Sequence, residues 1–283
     1  MVKSKGIIKM GPATLIVFLS LVHLMAYADP SNSIQILKNR IKGPAVGAHQ
    51  GDVFASAPNT IAAFESGRKA GADIIEMDLH VSKDGVPVVY HNENLEDKTN
   101  CTGRVRDRTF AEIKSCVFSN TKDQKIPSFE EVLRWSNGQV VINAEFKDGA
   151  AIESAVALVQ KYSAHSWVYF QVKNQREYYN RAHGLDPYIV LLYVISAEEA
   201  DLQWALSQDN SLAIIELHEE NRKASVIQAI HKAGKLASED SWHFSSFKEL
   251  FGAACDRLFE LRIDIAITNR TKSCVHQKRF FKP

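Results

Sequence analysis

Cysteine is scarce in this chain, at four of 283 residues, and no pair shows C-x-x-C spacing. Thiol redox chemistry and a cysteine zinc site are thereby left without a sequence basis. An excess of charge of one sign is also missing. The formal net charge is +1 at pH 7, so composition offers no polyanion-binding surface and no nucleic-acid partner is expected. The basic cluster Arg104, Arg106 and Arg108 reads as a solvated loop. No G-x-G-x-x-G follows the first strand candidate, which argues against a dinucleotide-binding fold. The apolar run from Ala13 to Met25 falls short of the roughly 20 residues that span a bilayer.

That short run has a different reading. Lys3, Lys5 and Lys9 precede it, and Ala26-Tyr27-Ala28 follows as a small-x-small cleavage site. Charged region, apolar region and cut site together describe a signal peptide over residues 1–28. Residues 29–283 then form one mature domain, periplasmic or secreted. All four cysteines, Cys101, Cys116, Cys255 and Cys274, fall in that part. An even number in an exported chain suggests disulfides, and four cysteines allow three pairings. Sequential pairing, which closes two short loops, is preferred.

Along the mature part, apolar strand candidates alternate with amphipathic stretches. The strands are Ala45–Ala48, Ile74–Leu79, Val140–Lys147, Trp167–Val172, Tyr188–Ile195, Leu212–Leu217, Lys235–Ala237 and Ile263–Thr268. Helices are expected over Ile61–Ala70, Ser128–Trp135, Ala150–Tyr162, Ala197–Leu206, Lys223–Ala233 and Ser246–Phe251. Asn59 or Thr60 caps the first of these, and Ser128 with Glu131 forms a capping box at the second. Such alternation, in a chain of this length, predicts a single-domain α/β fold, a (β/α)8 TIM barrel. A doubly wound open sheet is the alternative. The piece Val86–Tyr90 follows a Lys83-Asp84-Gly85 turn too short for a helical crossover, and its place in the sheet stays open.

Polar residues at the ends of these strands make a short list: His49, Glu76, Asp78, His91, Glu145 and Lys147. Glu76 and Asp78 lie two apart on a strand and so point to the same side. In a barrel, strand ends on the C-terminal face converge. Three carboxylates suit one hard divalent cation, Mg²⁺ or Ca²⁺, which would relieve the repulsion between Glu76 and Asp78. Two imidazoles serve as general acid and base near neutral pH. Lys147 neutralises an anionic substrate group, or else forms an ion pair with Glu145 at the barrel mouth. His80, His165, His183 and His218 have no comparable setting. Trp242 either walls a substrate pocket or packs against a helix. An apolar loop at Val53-Phe54 or at Phe244 to Phe251 would give transient membrane-surface contact.

Several stretches resemble the glycerophosphodiester phosphodiesterase family of the phosphatidylinositol-phospholipase-C-like superfamily. They are His49-Gln50-Gly51, Asn59 to Phe64, Gly71 to Leu79, Ser82 to Gly85, Val88 to Asn92, Thr102-Gly103, Glu145-Phe146-Lys147 and Asp264 to Arg270. The resemblance implies metal-dependent hydrolysis of a small-molecule or lipid phosphodiester to sn-glycerol 3-phosphate and an alcohol. The metal ligands would be Glu76, Asp78 and Glu145, the acid/base pair His49 and His91. Gln50, Asn59, Lys147 and Trp242 are the substrate-binding candidates. Gln50 stands where the family usually carries Arg, and Asn92 and Asn269 stand where it carries Asp. A branch that also lacks the Arg, the sphingomyelinase-D-like phospholipases acting on choline lipids with a cyclic phosphate product, is the alternative. A catalytically inactive, exported ligand-binding barrel is the second.

Overall fold

The structure, a computed structural model, describes residues 30–41, 43–243 and 253–281. The signal-peptide segment and the helix expected over Ser246–Phe251 lie outside the described residues. Nine strands follow in order: β1 Ala45–Ala48, β2 Ile74–Val81, β3 Pro87–Val89, β4 Val141–Phe146, β5 Val168–Lys173, β6 Val190–Val194, β7 Leu212–Leu217, β8 Leu236–Asp240 and β9 Ile265–Thr268. All but β3 run parallel, and β1 pairs with both β9 and β2, so those eight close into a ring. A helix follows each ring strand, from Ile61–Lys69 after β1 to Thr271–Lys278 after β9. This is the expected (β/α)8 barrel, and the open sheet is excluded.

Strand side chains alternate in direction, and two apolar shells result. Ile75, Met77 and Leu79 of β2 face outward onto helix residues such as Phe129, Val132 and Leu133. Ile74 instead points inward with Val141, Tyr169, Val190, Ile214 and Ile265, near the strand N-termini. Leu37 and Ile41, from the helix Pro30–Arg40 and its end, close that floor. Further along four of the strands the inward positions turn polar, Glu76 and Asp78 on β2, Asn143 and Glu145 on β4, Gln171 on β5 and Glu216 on β7, whereas Leu192 and Val194 keep β6 apolar. An apolar floor under a polar mouth is what places a site at the C-terminal face.

Val86–Tyr90 resolves as a hairpin. β2 continues to Val81, and β3 returns antiparallel with Leu79 opposite Val89. The Tyr90 amide then donates to the Asp78 carbonyl at 3.0 Å. His91 therefore reaches the mouth from a strand outside the barrel ring. Thr60 caps the helix Ile61–Lys69, and Ser128 with Glu131 makes the full capping box. Both disulfides have the sequential pairing, Cys101–Cys116 and Cys255–Cys274, each with a Cα–Cα distance of 5.6 Å.

One strand differs from expectation. β8 covers Leu236–Asp240 rather than Lys235–Ala237, because its polar residues are satisfied inside the sheet. Ser238 donates to Glu216 at 3.3 Å, and Arg222 pairs with the buried Glu239. Between helices and sheet, Phe170 is fully buried, its ring 4.7 Å from that of Phe146 and 6.0 Å from that of Phe129. Phe170→Ala is expected to cost about 3–5 kcal/mol of stability, read from urea unfolding with an unchanged m-value.

Candidate active site

β1 ends in the turn His49-Gln50-Gly51, where Gln50 has φ 53 and Gly51 φ 84. A Cβ on Gly51 would lie 2.6 Å from the Ala63 carbonyl carbon, so only glycine fits there. Gln50 accepts a left-handed backbone that a non-glycine residue rarely adopts. That conformation aims its amide N–H at Glu76 Oε2, 2.8 Å away. Its side-chain Nε2 donates to Asp78 Oδ2, also at 2.8 Å. Asn59, likewise at positive φ, donates to Asp78 Oδ2 at 2.7 Å and accepts the Asp78 amide at 3.2 Å. Gln50 and Asn59, expected at the substrate, each give a side-chain amide hydrogen bond to Asp78 and also border a cavity beside His49 and His91. They position a carboxylate.

Parallel pairing of β2 with β4 sets Asp78 beside Glu145 and Glu76 beside Asn143. Glu76, Asp78 and Glu145 are all buried, with one ligand oxygen from each within 4.8 Å of the others. Burial pushes the Glu76 carboxyl well above its usual range, and repulsion from Asp78 and Glu145 adds to it. Burial alone would do the same to Asp78. Lys147, the two histidines and the Asn59 hydrogen bond outweigh it and hold Asp78 low. Lys147 Nζ lies 2.7 Å from Glu145 Oε1 and 3.1 Å from Asp78 Oδ1. Burial disfavours its charge, yet the two carboxylates keep its pKa above the ordinary lysine value. The donor set of three buried, converging carboxylates fits a hard divalent cation, and the cluster is a potential metal-binding site.

His49 stands at the rim. Its Nδ1 lies 2.8 Å from Asn269 Oδ1. An amide oxygen only accepts, so Nδ1 carries the proton and Nε2 presents its lone pair, 3.9 Å from Glu76 Oε2. Burial lowers the His49 pKa, against the opposing effect of the Asn269 hydrogen bond. The Trp242 ring packs 4.4 Å from the imidazole. His91 is exposed, and His80 donates from Nε2 to its carbonyl oxygen at 3.1 Å. A cavity of about 270 Å³ collects His49, Glu76, His91, Glu145, Lys147 and Trp242. All of the strand-end residues singled out in the sequence border it or, like Asp78, bond to those that do.

The glycerophosphoryl diester phosphodiesterase family matches residues 49–272. The chain belongs to that family. That membership lends no specific support to a sphingomyelinase-D-like departure. Curated relatives include the uncharacterized protein YqiK of Bacillus subtilis, 39% identical over 107 residues, 36% of this chain and 44% of that protein. Another is human glycerophosphodiester phosphodiesterase 1, 31% identical over 145 residues, 48% of this chain and 43% of that protein. The chain spans less than half the length of these two relatives. Among solved structures, a Parabacteroides distasonis glycerophosphoryl diester phosphodiesterase superposes with a TM-score of 0.75 at 19% identity, over 90% of this chain and 93% of that one. An Oleispira antarctica phosphodiesterase in complex with the product sn-glycerol-3-phosphate gives 0.69 at 20% identity, over 83% and 96%. At these identities the likeness is one of fold.

In this family member the far wall of the cavity holds residues that strand-end reading passed over: Gln171, Lys173, His218, Asp240 and His243. Lys173 Nζ pairs with Glu145 Oε2 at 3.0 Å, and Gln171 reaches the same oxygen at 3.4 Å. Glu216 lies beneath them, its carboxyl pushed up to about 7, first by burial and further by Glu145. Phase along the strands contained this signal, since Gln171, Lys173 and Glu216 continue the inward positions of β5 and β7. Shortening β8 by three residues hid Asp240. Phe54, from the proposed membrane-facing loop, is 62% exposed beneath the Arg270 guanidinium, 3.9 Å from its ring centroid. Phe244 to Phe251 lies outside the described residues.

Lys147 is the internal counter-ion of this cluster. Lys147→Met leaves Asp78 without a lysine partner, while Glu145 keeps Lys173, and is expected to cost on the order of 3 kcal/mol near neutral pH. Without the ammonium, burial pushes the Asp78 carboxyl up relative to the unfolded chain, so folding takes up protons. The loss should therefore shrink as pH falls toward 4 and grow as it rises, measured by urea unfolding across that range without divalent ions.

Proposed function

We propose that this protein hydrolyses glycerophosphodiesters to sn-glycerol 3-phosphate and an alcohol, with one divalent cation, Mg²⁺ or Ca²⁺, held by Glu76, Asp78 and Glu145. The observation that carries the reading is the placement of two imidazoles over three converging carboxylates in one cavity, in a chain of this family. The product complex of the Oleispira antarctica relative supports the substrate class. A catalytically inactive barrel has no feature in its favour, because all five positions are present together.

The chain's own residues divide the work. His49, neutral and fixed through Asn269, takes a proton at Nε2 from the attacking water. A new P–O bond forms as the bond to the alcohol oxygen breaks, and His91 gives that oxygen its proton. The alcohol departs neutral and the phosphate keeps the glycerol. When bound, the cation supplies positive charge at the phosphate. Lys147 and Lys173 add two further charges at the same cavity, where preorganised cations favour the developing negative charge. Lys173 thereby answers the absence of an arginine at Gln50. We also infer export, to the periplasm or the medium, which two disulfides support, since such bonds persist in oxidising compartments.

Phosphorus NMR of the purified mature chain with Mg²⁺ or Ca²⁺ tests the activity. Glycerol 3-phosphate should appear from short glycerophosphodiesters, stop with EDTA, and slow by about 10²–10⁴-fold in His49→Ala. A cyclic phosphate, or no turnover with folded protein, would overturn the reading. The acid limb of kcat/KM should lie below pH ~6.5, the ordinary histidine value, because burial lowers the His49 pKa. Asn269→Asp places a carboxylate on Nδ1 and should move that limb up by about one pH unit, measured as a pH–rate profile.

A further inference from the structure

The two imidazoles line a second cavity as well. It measures about 370 Å³, and beyond His49 and His91 its walls include Tyr90, Asn92, Lys98 and Phe118. Tyr90 and Phe118 are buried and supply an apolar side, their rings 5.9 Å apart. Lys98 is exposed and is the lysine of that wall; no Asp, Glu or Arg lines the cavity among the described residues. The nearest-placed acid in sequence, Asp97, accepts from the Asn92 amide at 2.9 Å and is not itself part of the lining.

Lys98 is held in place from behind. The Ser119 amide donates to its carbonyl at 2.8 Å, and Thr99 bridges Phe118 as an isolated antiparallel pair. The Cys101–Cys116 disulfide staples the same two segments. A lysine and an aromatic ring are thus presented together by a clamped loop.

We propose that this second cavity receives the leaving alcohol of the substrate, and that Lys98 selects alcohols bearing negative charge over those bearing a quaternary ammonium. The proposal rests on the phosphodiesterase reading above. With the phosphate at the carboxylate cavity, a group joined through the oxygen that His91 protonates extends past the shared imidazoles into this space. There an anion meets the Lys98 ammonium with no carboxylate on the lining itself, whereas choline meets a like charge. The aromatic wall alone would suit choline; Lys98 opposes it, and a repulsive element of this kind sets specificity.

The test compares three substrates that all give glycerol 3-phosphate: 1,3-bis(glycerophospho)glycerol, glycerophosphoglycerol and glycerophosphocholine, with anionic, neutral and cationic leaving alcohols. In wild type, kcat/KM should fall in that order. In Lys98→Glu the anionic-to-cationic ratio should drop by about tenfold or more, and in Lys98→Gln by less, as Coulomb energies near a surface dictate. The wild-type ratio should also narrow as salt rises from 0.02 to about 0.5 M. Turnover without charge preference, a preference for choline, or equal losses for all three substrates in Lys98→Glu would overturn the subsite and leave the activity standing. No turnover of any substrate by folded wild type would overturn the activity itself, and the subsite with it.

Discussion

The site is governed by a single conflict: three buried carboxylates crowd the mouth of a barrel. Coulomb repulsion at such distances is severe in a low-dielectric setting. Each nearby feature answers it. The Gln50 backbone sits in a left-handed conformation to bring an N–H to Glu76, and the Gln50 and Asn59 amides both serve Asp78. Lys147 and Lys173 divide their charge over Asp78 and Glu145. The Glu76 carboxyl, which accepts the Gln50 amide, is pushed far upward by burial and by repulsion from Asp78 and Glu145. The proposed divalent cation would resolve the conflict, since one oxygen from each carboxylate lies within 4.8 Å of the others.

The barrel makes this crowding inescapable. Parallel pairing of β2 with β4 sets Asp78 directly beside Glu145, and period-two alternation keeps Glu76 on the same inner face. The floor beneath is sealed by Ile74, Val141, Tyr169 and the helix residues Leu37 and Ile41. Stability at the floor and reactivity at the mouth are two ends of the same strands.

How much of this was legible in the sequence depends on periodicity. The eight ring strands stood out as apolar runs, and the inward phase of Ile74, Glu76 and Asp78 followed from alternation. Glu145 and Lys147 could be placed because their strand ends cleanly before Asp148. Asp240 could not, because Ser238-Glu239-Asp240 looks like a loop until Arg222 and Glu216 are known to satisfy it. His91 belonged to the site for a reason the pattern did not supply: it arrives on a hairpin strand paired to the overshooting end of β2. Gln50 and Asn59 were substrate candidates through the family resemblance, and their hydrogen bonds to Asp78 were not written in the pattern. The positive φ values behind those bonds are tertiary facts.

The neutral partner of His49 belongs to the same electrostatic argument. An aspartate at position 269 would add a further carboxylate to a mouth already rich in them, and would favour a protonated imidazole. A base that must accept a proton is useless when it already holds one. Asn269 fixes the tautomer through the same Nδ1–H contact without adding charge. Burial beneath Trp242 then keeps the imidazole neutral. The cost is a conjugate acid with no anionic partner on Nδ1. Asp78, whose charge favours the protonated His49, is the carboxylate that stabilises it. The strained turn, through the Gln50 side chain that fixes Asp78, therefore also sets the charge environment of the base.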